Sequence, residues 1–383
     1  MPDAVIVDVV RTPIGRAFKG SLAGERAEDL AAFAVKTLVE KHPEVAADSY
    51  DDVIMGCGFP DNEQGYNIGR NAWLLAGLPE TVAGHTVTRF CASSLQAIRS
   101  AANAIMAGDG DTYLAGGIEA SSRAAGSADF QMHPKLDGSE NALWNVYIPM
   151  GITAENVAER YSVSREDQDA YAKRSQDLAV EGQENGFFER EITPYTLADG
   201  TVISKDDGPR PGTTLEKLST LPTPFKEGGT VTAGNACPLN DGAAASLVMS
   251  ADRAAELGLK PRAKVIAASA AGVEPEYMGI GPVPAIAKVL KAANMTIDDI
   301  DLVEINEAFA AQIIPSMDQC NIPLEKLNVQ GGAIALGHPF GMTGTRIMGT
   351  LLNNLETRDK QFGIESMCVA GGQGMAMIVE RLN

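Results

Sequence analysis

The sequence predicts an α/β protein made of two similar halves with an irregular loop insert between them. Three observations carry this reading. Strand-like and helix-like runs alternate over residues 1–120 and again over 262–383. Residues 121–238 break that rhythm with turn residues, prolines and scattered aromatics. Each half also contains a helix, a short polar turn and a strand with Ala-Gly-Gly: Tyr113-Leu-Ala-Gly-Gly-Ile-Glu119 follows one helix and Cys368-Val-Ala-Gly-Gly-Gln-Gly374 the other.

The elements follow in order. Ala4–Val10 is an apolar strand and Ala27–Lys41 an amphipathic helix. Val53–Gly56 and Thr86–Phe90 read as strands. Ala92–Ala107 reads as a helix because Leu95, Ile98, Ala102 and Ile105 recur at spacings of three and four, and Gly108 ends it. Thr112–Ile118 is a strand of small residues. In the insert, helices are expected near Ala154–Tyr161 and over Arg165–Asn185, the second capped by Ser164 with Asp167 three residues on. Ala243–Met249 is again a strand, so segment 239–261 is assigned to the first half. The second half continues with strand Val265–Ser269, helix Pro284–Asn294, strand Leu302–Ile305 and helices Glu307–Gln319 and Thr343–Leu355. Met367–Ala370 and Met375–Glu380 flank a Gly-Gly-Gln-Gly turn and read as a hairpin.

Composition narrows the function classes. At 383 residues, with 45% apolar and 5% aromatic side chains, the chain exceeds one compact core. A net charge of −19 argues against nucleic acid or an anionic membrane as partner, because both demand a basic surface. An anionic co-substrate stays possible, since a few local cations suffice. No uncharged apolar stretch reaches membrane-spanning length, and the start Met-Pro-Asp-Ala-Val-Ile-Val-Asp lacks the features of a secretory leader. Five cysteines without a CxxC pair suggest neither a disulfide framework nor a zinc site, and point to the reducing cytoplasm.

Four residues stand out chemically. Cys91, in Arg89-Phe-Cys-Ala-Ser-Ser94, sits where a strand meets a helix. The first helical turn favours an anion, lowers a thiol pKa and makes a nucleophile; a buried structural cysteine is the alternative. His338, in Gly337-His-Pro-Phe-Gly341, is framed by small residues that hold an imidazole and leave room in front of it, as a base for Cys91 requires, or it is a turn histidine before the next helix. Cys368 precedes a glycine turn whose N–H groups suit an oxyanion, or it fills the core. Asn306 follows a strand and either orients a polar group or caps a helix. The remaining histidines, His42, His85 and His133, lack such frames.

Seven motifs in order share one resemblance. They are Val9-Val-Arg-Thr-Pro-Ile-Gly15, Cys91-Ala-Ser-Ser-Leu-Gln-Ala97, Gly229-Thr-Val-Thr-Ala-Gly-Asn235 and Asn240-Asp-Gly-Ala243, then Asn306-Glu-Ala-Phe-Ala310, Gly331-Gly-Ala-Ile-Ala-Leu-Gly-His-Pro339 and Cys368-Val-Ala-Gly-Gly372. From Val5 to Glu380 the chain resembles the thiolases, acyltransferases that cleave or form 3-ketoacyl-CoA thioesters. The resemblance implies an α/β fold of two similar α-β-α-β-α layered domains with mixed five-stranded sheets, joined by a loop domain at 121–238 that binds coenzyme A. It implies Cys91 as the acyl-carrying nucleophile, and His338 as its base and an oxyanion donor. Cys368 is implied as the proton shuttle and Asn306 as the residue that holds an oxyanion-hole water, with the N–H groups of Cys91 and Ala370 forming a second hole.

Further implied contacts are Arg210 and Phe225 at the adenine end, and Cys237, Met278, Ala308, Phe309 and Met150 along the pantetheine and acyl pocket. Coenzyme A is then a co-substrate, with no resident cofactor and no metal, and the protein a homodimer or homotetramer. Some positions depart from the common pattern. Ala92 and Ser94 stand where Gly is usual, and their side chains would narrow the pocket or alter the turn. Ala370 and Gln373 also replace Gly, and Cys237 replaces a Ser. Pro149 stands where acetoacetyl-CoA-forming members carry His, which resembles the degradative branch. The alternatives are a biosynthetic thiolase, a ketoacyl synthase (disfavoured by Asn306 and Cys368) and a non-catalytic acyl-CoA or lipid-binding relative.

Overall fold

A computed structural model describes residues 2–124 and 130–383, so residues 125–129 of the insert lie outside the described residues. The apolar runs form nine principal strands: β1 Ala4–Arg11, β2 Asp52–Cys57, β3 Ala83–Val87, β4 Thr112–Ala120, β5 Asn240–Ser250, β6 Ala263–Gly272, β7 Leu302–Ile305, β8 Phe362–Val369 and β9 Gln373–Arg381. They lie in one hydrogen-bonded sheet in the order β7-β8-β9-β6-β1-β5-β4-β2-β3, and the short strand Gly15–Arg16 adds to β5. The principal helices are α1 Ala27–Lys41, α2 Ile68–Leu75, α3 Ser93–Ala107, α4 Met150–Arg160, α5 Arg165–Glu184, α6 Pro282–Ala293, α7 Ala310–Gln319 and α8 Thr343–Thr357.

The mixed α/β layers expected from the resemblance are present, and the structure shows how they are shared. Each half has the same pairing pattern: β3-β2-β4 is parallel and β4-β5-β1 antiparallel, while β7-β8 is parallel and β8-β9-β6 antiparallel. A fifth position beyond β7 shrinks to a single parallel bridge, Val303 with Leu327. The two sheets join where β1 meets β6, through the pairs Val5–Lys264 and Ile6–Ala263. Helices α3 and α8 lie between the halves. Their residues Leu95, Ile98, Ile347, Met348 and Leu351 share one core with Ile6 and Val9 of β1 and with Met367 and Val369 of β8. Helices α1 and α2 cover the outer face of the first half and α6 and α7 that of the second.

The repeat of topology is not the repeat of the tripeptide. Ala115-Gly116-Gly117 lies inside β4, whereas Ala370-Gly371-Gly372 lies beyond the end of β8. There Gly371 and Gly372 adopt φ of 77° and 78°, left-handed values that favour glycine, and turn the chain into β9.

Several boundaries differ from expectation. The strand expected at Thr86–Phe90 runs over Ala83–Val87, because Phe90 turns at φ 44° to begin the short helical turn Phe90–Ala92. The helix expected from Glu307 begins at Ala310. Residues 307–309 stay non-helical because Cys237 N–H donates to the Ala308 carbonyl and Ala236 bridges to the extended Phe309. The Glu307 carboxylate is drawn inward, where Tyr171, Asn328 and the Ile334 N–H donate to it at 3.0, 2.9 and 3.2 Å. Helix α4 begins at Met150, directly after Pro149. Ser164 caps α5 by accepting from Asp167 N–H at 3.0 Å. No helix among the described residues is long and apolar enough to cross a membrane.

A buried ion triad ties the insert to both halves. The Arg11 guanidinium, at the end of β1, donates to Glu191 at 2.9 Å and to both Asp206 oxygens at 2.7 and 2.9 Å. Glu191 also accepts from Thr350 and Asn353 of α8 at 3.2 and 3.1 Å. Removing one partner strands the others in a low-dielectric interior. Arg11→Ala is therefore expected to lower unfolding free energy by about 3–5 kcal/mol, read by urea denaturation, whereas Lys264→Ala, which breaks an exposed pair with Asp3, is expected to cost less than about 1 kcal/mol.

Candidate active site

The turn before α3 presents Cys91. Phe90 reverses the chain, and the Ser93 hydroxyl locks the turn by donating to the Phe90 carbonyl at 2.7 Å and accepting from Arg89 N–H at 2.9 Å. Cys91 is 8% exposed. The two residues expected to crowd it are turned elsewhere. Ala92 is buried in the apolar layer between the halves, and the Ser94 hydroxyl accepts from Thr345 N–H of α8 at 2.9 Å.

The second half supplies His338. Gly337, at φ 111°, packs against Asn240, whose Oδ1 accepts from His338 N–H at 2.9 Å. Asn240 in turn donates to the Gly15 carbonyl at 3.0 Å. The imidazole tautomer follows from its neighbours. The Thr343 hydroxyl gives its hydrogen to the Pro339 carbonyl at 2.7 Å, so toward His338 Nδ1, also at 2.7 Å, it can only accept. Nδ1 therefore carries the proton and Nε2 a lone pair, to which Asn306 Nδ2 donates at 3.2 Å. Asn306 Oδ1 is buried without a donor among the described residues.

Cys368 closes the site at the end of β8. It is fully buried among Ala154, Met278, Ala308 and Phe309, with Met150 and Cys237 against the same cluster. The Gln312 amide nitrogen donates to the Asn306 carbonyl at 3.0 Å and stands 4.0 Å from the Cys368 sulfur. Phe225 reaches the cluster through Phe309, with ring centroids 6.5 Å apart, and its face lies against Gly151. Arg210 stands apart as an exposed side chain beside Arg16, its N–H donated to Gln176 at 2.8 Å. Among the described residues, no group of three or more His, Cys, Asp or Glu side chains could hold a metal ion.

Electrostatics corrects one expectation. The helix start was expected to lower the Cys91 thiol pKa; burial instead pushes it up to about 12, against the pull of the Ala370 and Cys91 N–H groups. Burial also pushes His338 down to about 3, helped by the Arg346 charge. Cys368 lies well above the ordinary thiol value, through burial first and then through Cys91 and Cys237. The resting site is thus a neutral thiol, a neutral imidazole and a second neutral thiol, and the imidazole lone pair is available to take a proton. Thr343, Gln312 and Asn240, none of them singled out from sequence as site residues, do the positioning. Their signal was only that Asn240 and the Gly331–Pro339 segment lie in motifs; Thr343 and Gln312 carried none.

Comparison with known proteins matches the chain to one family. Residues 4–252 match the thiolase N-terminal domain and residues 259–381 the thiolase C-terminal domain. The chain is 46% identical over 392 residues to a 3-ketoacyl-CoA thiolase of Idiomarina loihiensis, covering 100% of both. It is 44% identical over 402 residues to a beta-ketoadipyl-CoA thiolase of Escherichia coli, again covering 100% of both. The crystal structure of the Bacillus anthracis acetyl-CoA acetyltransferase superposes with a TM-score of 0.91 at 40% identity, covering 100% of this chain and 99% of the other.

A thiol with a raised pKa is protonated at neutrality, and its reactive thiolate grows as pH rises. Alkylation of Cys91 by iodoacetamide, followed by peptide mass spectrometry, is expected to accelerate about tenfold per pH unit between about pH 7 and 9. A rate independent of pH over that range would show a thiolate already formed.

Proposed function

The chain belongs to the thiolase family, and on that premise we propose that it cleaves 3-ketoacyl-CoA with coenzyme A, giving acetyl-CoA and a shortened acyl-CoA through an acyl-Cys91 intermediate. Membership and the 3-ketoacyl-CoA thiolases among its relatives make it a thiolytic acyltransferase. The observation that carries the mechanism is the His338 tautomer, fixed by Thr343, which leaves the Nε2 lone pair, toward which Asn306 Nδ2 points at 3.2 Å, as the base once that weak contact yields.

Each step then balances. His338 Nε2 takes the Cys91 proton as the sulfur attacks the C3 carbonyl. The C2–C3 bond breaks, its electron pair passes into the acetyl-CoA enolate, and Cys368 gives its proton to C2. In the second half, the Cys368 thiolate takes the proton of incoming coenzyme A, whose sulfur attacks the thioester on Cys91. The Cys91 thiolate leaves and regains its proton from His338. Two oxyanions form on this path. The Cys91 and Ala370 N–H groups, which face the Cys91 sulfur, serve the thioester oxygen. His338, once protonated at Nε2, and a water on Asn306 Oδ1 serve the enolate oxygen.

The wall of Met150, Met278, Phe309 and Cys237 suits an acyl chain and pantetheine, and Pro149 at the start of α4 supports the degradative over the acetoacetyl-CoA-forming reading. Coenzyme A enters as co-substrate over the insert, with Arg210 and Phe225 toward its adenine end. The open edge of β3, half-exposed along its length, is where a second copy would extend the sheet, so a homodimer is the smallest assembly expected and a homotetramer the next. Five unpaired cysteines suit the cytoplasm.

With a series of 3-ketoacyl-CoA substrates and free coenzyme A, loss of the ketoacyl absorbance is expected, faster for chains longer than acetoacetyl; preference for acetoacetyl-CoA would favour the biosynthetic reading. Cys91→Ala is expected not to acylate at all, and Cys368→Ala to acylate slowly and stall before full turnover, both read by intact-protein mass spectrometry. Normal acylation of Cys91→Ala at another residue would overturn the assignment.

A further inference from the structure

Cys91 and His338 come from opposite halves, and nothing in the mechanism itself explains how their separation is set. One buried side chain touches the frames of both. Glu119, the penultimate residue of β4, is fully buried and outside the reacting set. Its Oε2 accepts from Gly58 N–H at 2.7 Å and from Gly341 N–H at 2.9 Å, and its Oε1 from Phe59 N–H at 3.3 Å and from Gln64 Nε2 at 2.8 Å. All four partners are N–H donors, as an ionised carboxylate requires. Burial raises its pKa, while those donors pull it back.

The contacts fan out in two directions. Gly341 closes the loop that carries His338, and Phe340 beside it lies edge-on to the imidazole, centroids 5.0 Å apart. Gly58 and Phe59 leave β2, and the Phe59 ring meets Phe90, the reversing residue before Cys91, at 5.6 Å. The same Phe59 ring meets Phe340 at 5.8 Å, closing the circuit. The Gly58 carbonyl also accepts from Thr88 at 3.1 Å, on the chain leading to Cys91. Gly117, two residues before Glu119, packs against the Gly341 carbonyl with no room for a side chain, so β4 and the His338 loop are in direct contact.

We propose that Glu119 is the positioning residue for the proton transfer between Cys91 and His338: its carboxylate pins the turn that presents the thiol and the loop that presents the imidazole to one point. The proposal rests on the thiolase reading for the reaction it serves. It explains a costly feature, since a buried carboxylate that has, among the described residues, N–H donors and no cationic partner is held here by those dipoles. Misplacement of reacting groups by about 1 Å costs on the order of a hundredfold in rate, which is the scale expected when the pin is removed.

Glu119→Gln keeps the shape but offers an amide –NH₂ to N–H groups that need an acceptor. Single-turnover acylation of Cys91 by a 3-ketoacyl-CoA is expected to slow about a hundredfold, with KM within about twofold because no substrate contact is lost. Glu119 also opposes ionisation of Cys91, so the pH dependence of Cys91 alkylation by iodoacetamide is expected to move to lower pH in the same variant. Faster alkylation with slower acylation separates lost positioning from general loosening, which would lower thermal stability and leave the rate per folded molecule unchanged. Should Glu119→Gln not fold, Phe59→Ala, at a residue 47% exposed, removes the ring that links the two branches and is expected to slow acylation about tenfold. Wild-type acylation in folded Glu119→Gln, or in Phe59→Ala where the first variant does not fold, would overturn the proposal. Wild-type protein that no substrate acylates would instead fault the functional reading.

Discussion

Burial is the condition on which the rest of this site depends. Taking Cys91 and His338 out of water penalises their charged forms, pushing the thiol up to about 12 and the imidazole down to about 3. An ion pair between them is thereby disfavoured at rest, and on the proposed mechanism charge appears only as the sulfur attacks a carbonyl. On the proposed mechanism the Ala370 and Cys91 N–H groups are prearranged for charge that exists only during the reaction, while Asn306 Nδ2 contacts the resting imidazole. On the proposed mechanism Cys368, neutral for the same reason, keeps a proton ready for the enolate carbon.

Such a site demands placement from outside it, because neutral partners attract one another weakly. The fold meets this by bringing two topologically similar halves face to face across a shared helical layer of α3 and α8. Cys91 stands at the start of α3, while Thr343 at the start of α8 orients His338. Cross-links between the halves are therefore concentrated near the site: Asn240 on the His338 backbone and Ser94 on Thr345. The Arg11–Glu191–Asp206 triad ties in the insert.

Much of this was legible in the residues. Alternating runs located seven of the nine principal strands closely, the expected Met367–Ala370 catching only the end of Phe362–Val369, and the glycine frames of Cys91, His338 and Cys368 marked candidate site loops. Three things were not legible, each because it depends on distant parts of the chain. The direction of the Cys91 pKa shift was misjudged, since a helix start says nothing about how much protein covers the sulfur. The helix expected from Glu307 starts at Ala310, because Asn235, Ala236 and Cys237 hold the preceding residues out of helical conformation. Ser94 looked like an intrusion into the pocket and is a hydrogen-bond acceptor for α8. Glu119 and Thr343 left no local pattern, since a buried acceptor is recognisable only by what donates to it.

The central claim is that the resting enzyme holds both the Cys91 thiol and the His338 imidazole neutral. The most direct measurement is the infrared S–H stretch of the free enzyme at neutral pH, assigned to Cys91 by difference against Cys91→Ala, with the ¹⁵N shifts of His338 recorded in parallel. The account predicts an S–H band that disappears in the variant and an imidazole protonated at Nδ1 alone. No Cys91 S–H band, together with a His338 protonated on both nitrogens, would contradict it.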